Sequence, residues 1–139
     1  MVEEAVLDAH DAMQAVRLWA CDLINIKLMK CGGLLAALTL DAVAETAGVG
    51  SQVGTMVESS VASAAGLHLA LALHNAATME MGGPIMLAED VSGLRAYYER
   101  DRVAVPEGPG LGVEPDEAIL QHYAGERDWI TACSDGQKH

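Results

Sequence analysis

At 139 residues and 51% hydrophobic content, the chain is long enough for one domain with a real core and too apolar to be disordered. Its net charge of −12 opposes phosphate backbones and anionic lipid surfaces, both of which reward positive charge, so nucleic acid and membrane are set aside as partners. A closed eight-stranded α/β barrel takes about 250 residues, more than are present here. No basic-then-apolar signal opens the chain, and Gly, His and Asn interrupt the apolar stretches before they reach membrane-spanning length. Cys21, Cys31 and Cys133 are odd in number and lack the paired spacing of a zinc site or disulfide scaffold, which points to a reducing, cytoplasmic setting.

From Asp8 to Ala20, apolar residues at Ala12, Met13, Val16, Leu18 and Trp19 recur at helical spacing, with Asp8 placed as the cap. The strand Leu23 to Ile26 follows. A second helix is predicted over Gly33 to Ala47, with Leu34, Leu35, Leu38, Leu40, Val43 and Ala44 as its stripe and Gly48 to end it. Gln52 to Met56 reads as the next strand, Ser60 to Leu73 as an Ala- and Leu-rich helix, and Thr78 to Met81 as a third strand before Gly82-Gly83-Pro84. Helix and strand alternate, and crossovers of this length make parallel βα units.

Beyond Pro84 the rhythm changes. Ile85 to Leu87 is an apolar patch, Arg102 to Val105 a short extended segment, and Pro106 to Gly112 a turn-rich loop in which proline fixes φ and glycine supplies positive φ. Glu114 to Tyr123 adds a helix, and the segment wraps the domain instead of forming another. Residues 1–124 are expected to be one domain and residues 125–139 a polar, frayed tail.

The chemistry concentrates at Asp22-Leu-Ile-Asn-Ile-Lys27-Leu-Met-Lys30-Cys31-Gly32-Gly33, where an apolar strand runs into two lysines and a glycine pair that opens a helix. In an α/β fold, catalytic groups sit where a buried strand emerges at its carboxyl end. Lys27 holds that exit. Lys30 lies further along and is expected to face the loop as a solvated charge. The Gly32-Gly33 pair suits either an anion on free backbone amides or close strand–helix packing. His68 and His74 have no carboxylate or Cys at ligand spacing and are expected to be partly buried, and Met79, Met81 and Met86 to fill the core.

Taken in order, that segment, then Val53-Gly-Thr-Met-Val-Glu58-Ser-Ser60, Glu80-Met-Gly-Gly-Pro84 and Val105-Pro-Glu-Gly-Pro-Gly-Leu-Gly112 resemble the carboxyl-terminal part of the muconate-lactonizing subgroup of the enolase superfamily. The resemblance implies an α/β fold that is part of a (β/α) barrel, equivalent to strands five to eight, plus the wrapping segment. It implies Mg²⁺ chemistry on a small carboxylate substrate, by a racemase, epimerase or cycloisomerase that abstracts the proton next to the carboxylate. Such a proton is too weakly acidic for an unaided amine, so a cation must oppose the developing charge and a lysine must be held ready to accept the proton.

Lys27 matches the family's acid/base lysine, with Lys30 as the second candidate. Glu3, in Val2-Glu3-Glu4-Ala5-Val6, stands where the family has a metal-binding Asp; the other reading is a solvated acidic pair. Glu58 follows the seventh strand, facing the pocket or serving the next helix's dipole. Glu80 replaces the first acid of the Asp-x-Asp with which dipeptide epimerases hold an ammonium group; the second is Gly82. The remaining metal carboxylates, the opposing lysine pair and the capping domain would precede residue 1. The expectation is a catalytically incomplete half-barrel, or a noncatalytic one working as a homo-oligomer or complementing chain, with Ile24, Ile26, Val53 and Met81 on a bare inward face.

Overall fold

A computed structural model describes residues 1–124. Helix α1 spans Ala9–Arg17, and the Asp8 side chain caps it by accepting the Asp11 N–H at 2.9 Å. Strand β1 (Leu23–Lys27) leads without a loop into the short helix α2 (Leu28–Cys31). Gly32 (φ +89°) and Gly33 (φ +118°) then turn the chain through left-handed backbone that other residues resist, releasing helix α3 (Leu34–Thr46). Strand β2 (Gly50–Gly54), helix α4 (Ser60–Ala72) and strand β3 (Ala76–Glu80) complete the alternation.

The three strands pair in parallel in the order β1-β2-β3. Val2 adds a further rung outside β1: its N–H donates to Leu23 O and its carbonyl accepts from Asn25 N, both at 2.9 Å. Helices α3 and α4 cover one face of the sheet. There Ile24, Ile26 and Val53 are buried with Ala37, Leu40, Ala44, Ala64 and Leu67. The architecture is the expected α/β partial barrel.

That packing corrects the predicted inward face. Side chains alternate along a strand, so a β1 that sends Lys27 toward the barrel interior must send Ile24 and Ile26 to the helices. The interior face consists of Asn25 and Lys27, Gln52 and Gly54, Thr78 and Glu80, aligned in rows across the sheet. Met81 packs toward the helices as well, its Sδ 3.2 Å from where a Cβ on Gly66 would stand.

Strands β2 and β3 begin two residues earlier than predicted, because polar residues are accommodated inside the sheet. Asn75 Nδ2 reaches Val49 O at 2.9 Å, Ser51 Oγ at 3.2 Å and the buried Asp41 at 3.4 Å, so Ser51 is buried with a partner. Ser51 pairs with Ala76 but Gln52 with Thr78, leaving Ala77 as a bulge in β3. Of the methionines expected in the core, Met81 is buried while Met79 and Met86 are exposed. His74 is likewise exposed, past the end of α4, while His68 is half-buried with its ring nitrogen 3.2 Å from Leu111 O.

Beyond β3 come helix α5 (Gly83–Met86), a 3₁₀ turn (Leu94–Tyr97), the hairpin β4 (Tyr98–Glu99) with β5 (Arg102–Val103), and helix α6 (Glu117–Ala124). This segment does wrap. Asp90 accepts from the Ser60 N–H at 3.0 Å and the Ser60 hydroxyl at 2.5 Å, and Ser60 Oγ in turn accepts from Leu94 N at 3.1 Å. The expected tail, residues 125–139, lies outside the described residues.

Candidate active site

Lys27 ends β1, and the continuous turn into α2 leaves its side chain at the carboxyl end of the sheet on the interior face. It is only 9% exposed. Its Nζ donates to Glu3 Oε1 at 2.5 Å and lies 3.7 Å from Met56 Sδ. Asn25, two residues back on the same face, donates from Nδ2 to Glu3 Oε2 at 3.0 Å. Only the amide nitrogen can donate to a carboxylate, so this contact fixes how the Asn25 amide is oriented. Its Oδ1 is buried and unpartnered.

The pair holds the Glu3 carboxyl at a pKa of about 2, below its ordinary 4.5, chiefly through the Lys27 hydrogen bond and then that of Asn25. Lys30 does not face solvent as expected. Its largely buried Nζ lies 3.9 Å from Glu3 Oε1 and 2.5 Å from Glu4 Oε1. One turn of α2 lifts Lys30 over the end of the sheet, so Glu3, Glu4, Lys27 and Lys30 form one cluster.

The other expected residues lie apart from it. Glu58 is buried and accepts the Met56 N–H at 3.0 Å, bracing the loop that carries Met56 toward Lys27. Glu80 is exposed at the end of β3, in the row Lys27, Gly54, Glu80. Two strand spacings separate Glu80 from Lys27, about 10 Å. Gly54 between them has a reason to lack a side chain: a Cβ there would stand 2.4 Å from Asn25 Oδ1.

Among the described residues no three His, Cys, Asp or Glu side chains are grouped to hold a metal. Both Glu3 oxygens are already engaged, and Mg²⁺ demands near-octahedral oxygen coordination. One strand-end carboxylate fits such an ion; the set does not. Sequence reasoning missed Asn25 and Met56. Period two marks Asn25 as sharing the face of Lys27, whereas nothing local marks Met56, which the loop after β2 delivers.

Fold and site together define a class: a parallel α/β barrel segment with ionisable side chains gathered at strand carboxyl ends. The chain matches the enolase C-terminal domain-like family over residues 1–119, and it belongs to that family. It is 42% identical over 130 residues to the N-succinyl-L-Arg/Lys racemase of Bacillus cereus, covering 94% of this chain and 35% of the racemase. It is 33% identical over 125 residues to the chloromuconate cycloisomerase of Cupriavidus pinatubonensis, covering 89% of this chain and 34% of that enzyme.

Among solved structures, the B. cereus N-succinyl Arg/Lys racemase superposes with a TM-score of 0.80 at 41% identity, over 88% of this chain and 32% of that one. A dipeptide epimerase from Methylococcus capsulatus, complexed with Mg and the dipeptide L-Arg-D-Lys, gives a TM-score of 0.71 at 40% identity, over 80% and 32%. The chain thus spans about a third of the length of these relatives. None of its described helices is long and apolar enough to cross a membrane.

Proposed function

We propose that this chain carries the acid/base half of a racemase, epimerase or cycloisomerase site that moves a proton next to a carboxylate, and is catalytically incomplete by itself. The observation that supports this most directly is Lys27, largely buried at a strand's carboxyl end and hydrogen-bonded to Glu3. In this reading the Lys27 Nζ is the atom that exchanges the α-proton with the substrate, and its hydrogen bond to Glu3 fixes where that atom sits. Lys30 and its 3.9 Å approach to Glu3 keep positive charge beside the anion that forms. Glu80, across Gly54, is the group positioned for the substrate's cationic end, and Glu58 supports the intervening loop. Mg²⁺ belongs to this reading as the ion a similar epimerase holds, with Glu3 the strand-end carboxylate this chain offers it. Free Cys21 and Cys31 accord with a cytoplasmic setting.

The test is complementation. The chain is mixed with the part of the B. cereus racemase that precedes the matched region, and exchange of the α-proton of N-succinyl-L-arginine or N-succinyl-L-lysine with deuterium is followed by NMR. We expect exchange in the mixture only, lost in Lys27→Ala. Exchange that survives that substitution rejects Lys27 as the base. A noncatalytic half-barrel acting as a homo-oligomer or complementing subunit is the second reading. It is favoured by the engagement of both Glu3 oxygens within the chain.

A further inference from the structure

We propose that Met56 is a modification site: a peroxide oxidises its thioether to the sulfoxide, and the new oxygen accepts a hydrogen bond from Lys27 and clamps it. The inference rests on the acid/base reading of Lys27 and adds its regulation. Met56 Sδ lies 3.7 Å from Lys27 Nζ, and a thioether is a weak acceptor, so the contact in the reduced chain is loose. Lys27 has three N–H donors, of which Glu3 takes one. The loop that carries the sulfur is tied at two points. Thr55 Oγ1 donates to Glu80 O at 3.2 Å, and the Met56 N–H donates to the buried Glu58 carboxylate at 3.0 Å.

Met56 is 38% exposed and follows the middle strand at the sheet's carboxyl end, where a carboxylate substrate must enter. A mouth that admits such a molecule admits peroxide, so this access owes nothing to either edge of the sheet. In the reaction a sulfur lone pair attacks one peroxide oxygen as the O–O bond breaks. Sulfur is oxidised by two electrons, and the other oxygen is reduced and leaves as water, taking the proton that the transferred oxygen gives up. The S–O bond formed is less than half as long as the gap to Nζ. Rotation about the side chain's own bonds therefore brings the oxygen within hydrogen-bond reach of the ammonium while the backbone stays in place. Held by Glu3 on one side and the sulfoxide on the other, Nζ no longer swings to a substrate carbon.

The experiment treats the full chain, carrying ¹⁵N-labelled lysine, with hydrogen peroxide, locates the sulfoxides by peptide mass mapping, and follows the Lys27 ammonium hydrogens by NMR without substrate. We expect a sulfoxide at Met56 and exchange of those hydrogens with water slowed about tenfold or more, because a stronger acceptor protects them. Met56→Gln, whose Oε1 follows Cδ as the sulfoxide oxygen follows Sδ, should show the slowed exchange before any peroxide is added. Met56→Leu should show none of it after treatment, although Met29, Met79 and Met86 are more exposed than Met56 and are oxidised there as well. Methionine sulfoxide reductase should return the treated chain to fast exchange. Far-UV circular dichroism confirms that both variants fold. A thioether left at Met56 while Met29 and Met86 are oxidised, a Met56 sulfoxide with unchanged Lys27 exchange, or an equal response in Met56→Leu overturns the proposal. In the complementation mixture, α-proton exchange that persists with Met56 oxidised rejects the clamp and leaves the role of Lys27 standing. An inactive untreated mixture rejects that role instead, while the substrate-free NMR still decides the clamp.

Discussion

Glu3 donates nothing and accepts twice, from Lys27 and from Asn25, and its acidity follows. A carboxyl whose pKa falls on folding, here from 4.5 to about 2, contributes stability that is present above the higher value and lost as pH drops through the lower one. Stability is therefore expected to decline between those two values in a step that Glu3→Gln lacks, measured by denaturant unfolding across that pH range. In Lys27→Ala the Glu3 pKa should rise, as read from its carboxyl carbon shift. At Gly54 the expectation is steric. Gly54→Ala would press a methyl against Asn25 and should cost about 2 kcal/mol, less in an Asn25→Ala background, because overpacking is relieved when its neighbour shrinks. At this scale the place of Lys27 at the strand exit was legible from the apolar run before it; its pairing with Glu3 was not, since that contact spans 24 residues. The seating of Lys30 was not, since it depends on α2 following β1 with no intervening loop, a matter of three residues that propensity does not resolve.

Helix α4 begins at Ser60 with no side-chain cap from the adjacent Ser59 and takes Asp90 instead, thirty residues on. Asp90→Ala is expected to cost about 1–2 kcal/mol, the usual effect of losing a helix cap, and to raise hydrogen exchange at the start of α4 and around Leu94 together. Exchange confined to one of the two would disprove the coupling. The longer helices and the strands before Pro84 could be read from apolar spacing, whereas α2 could not; β2 and β3 start early where Ser51 is satisfied by Asn75, a contact 24 residues distant, and β2 stops at Gly54 instead of Met56. Which face of β1 looks inward was also contained in the sequence: once Lys27 is inward, Ile24 and Ile26 cannot be. The wrapping segment was legible as turn-rich but not as a clasp, because its partners are side chains and carbonyls far away in the chain.

For the molecule as a whole, purified chain is expected to show at most trace racemase, epimerase or cycloisomerase turnover, with or without Mg²⁺. The described residues offer one engaged carboxylate, too few to hold the positive charge that would oppose a developing enolate. Isothermal titration should find Mg²⁺ binding weaker than about millimolar, since one engaged carboxylate leaves the ion hydrated. Micromolar binding lost in Glu3→Gln would show an assembled site and reverse this expectation. The clasp also has a consequence in time. The Ser60 hydroxyl, Ser92 and His68 wait for Leu94, Glu114 and Leu111, and Val91 O waits for Asp116 N. During synthesis, at about 5–20 residues per second, α4 and β3 therefore stand unfastened on the order of seconds while their partners are still being made. Through that interval the exposed margin of β3 is the surface most open to wrong company, and the ribosome's pace becomes one of the determinants of how much chain reaches this fold.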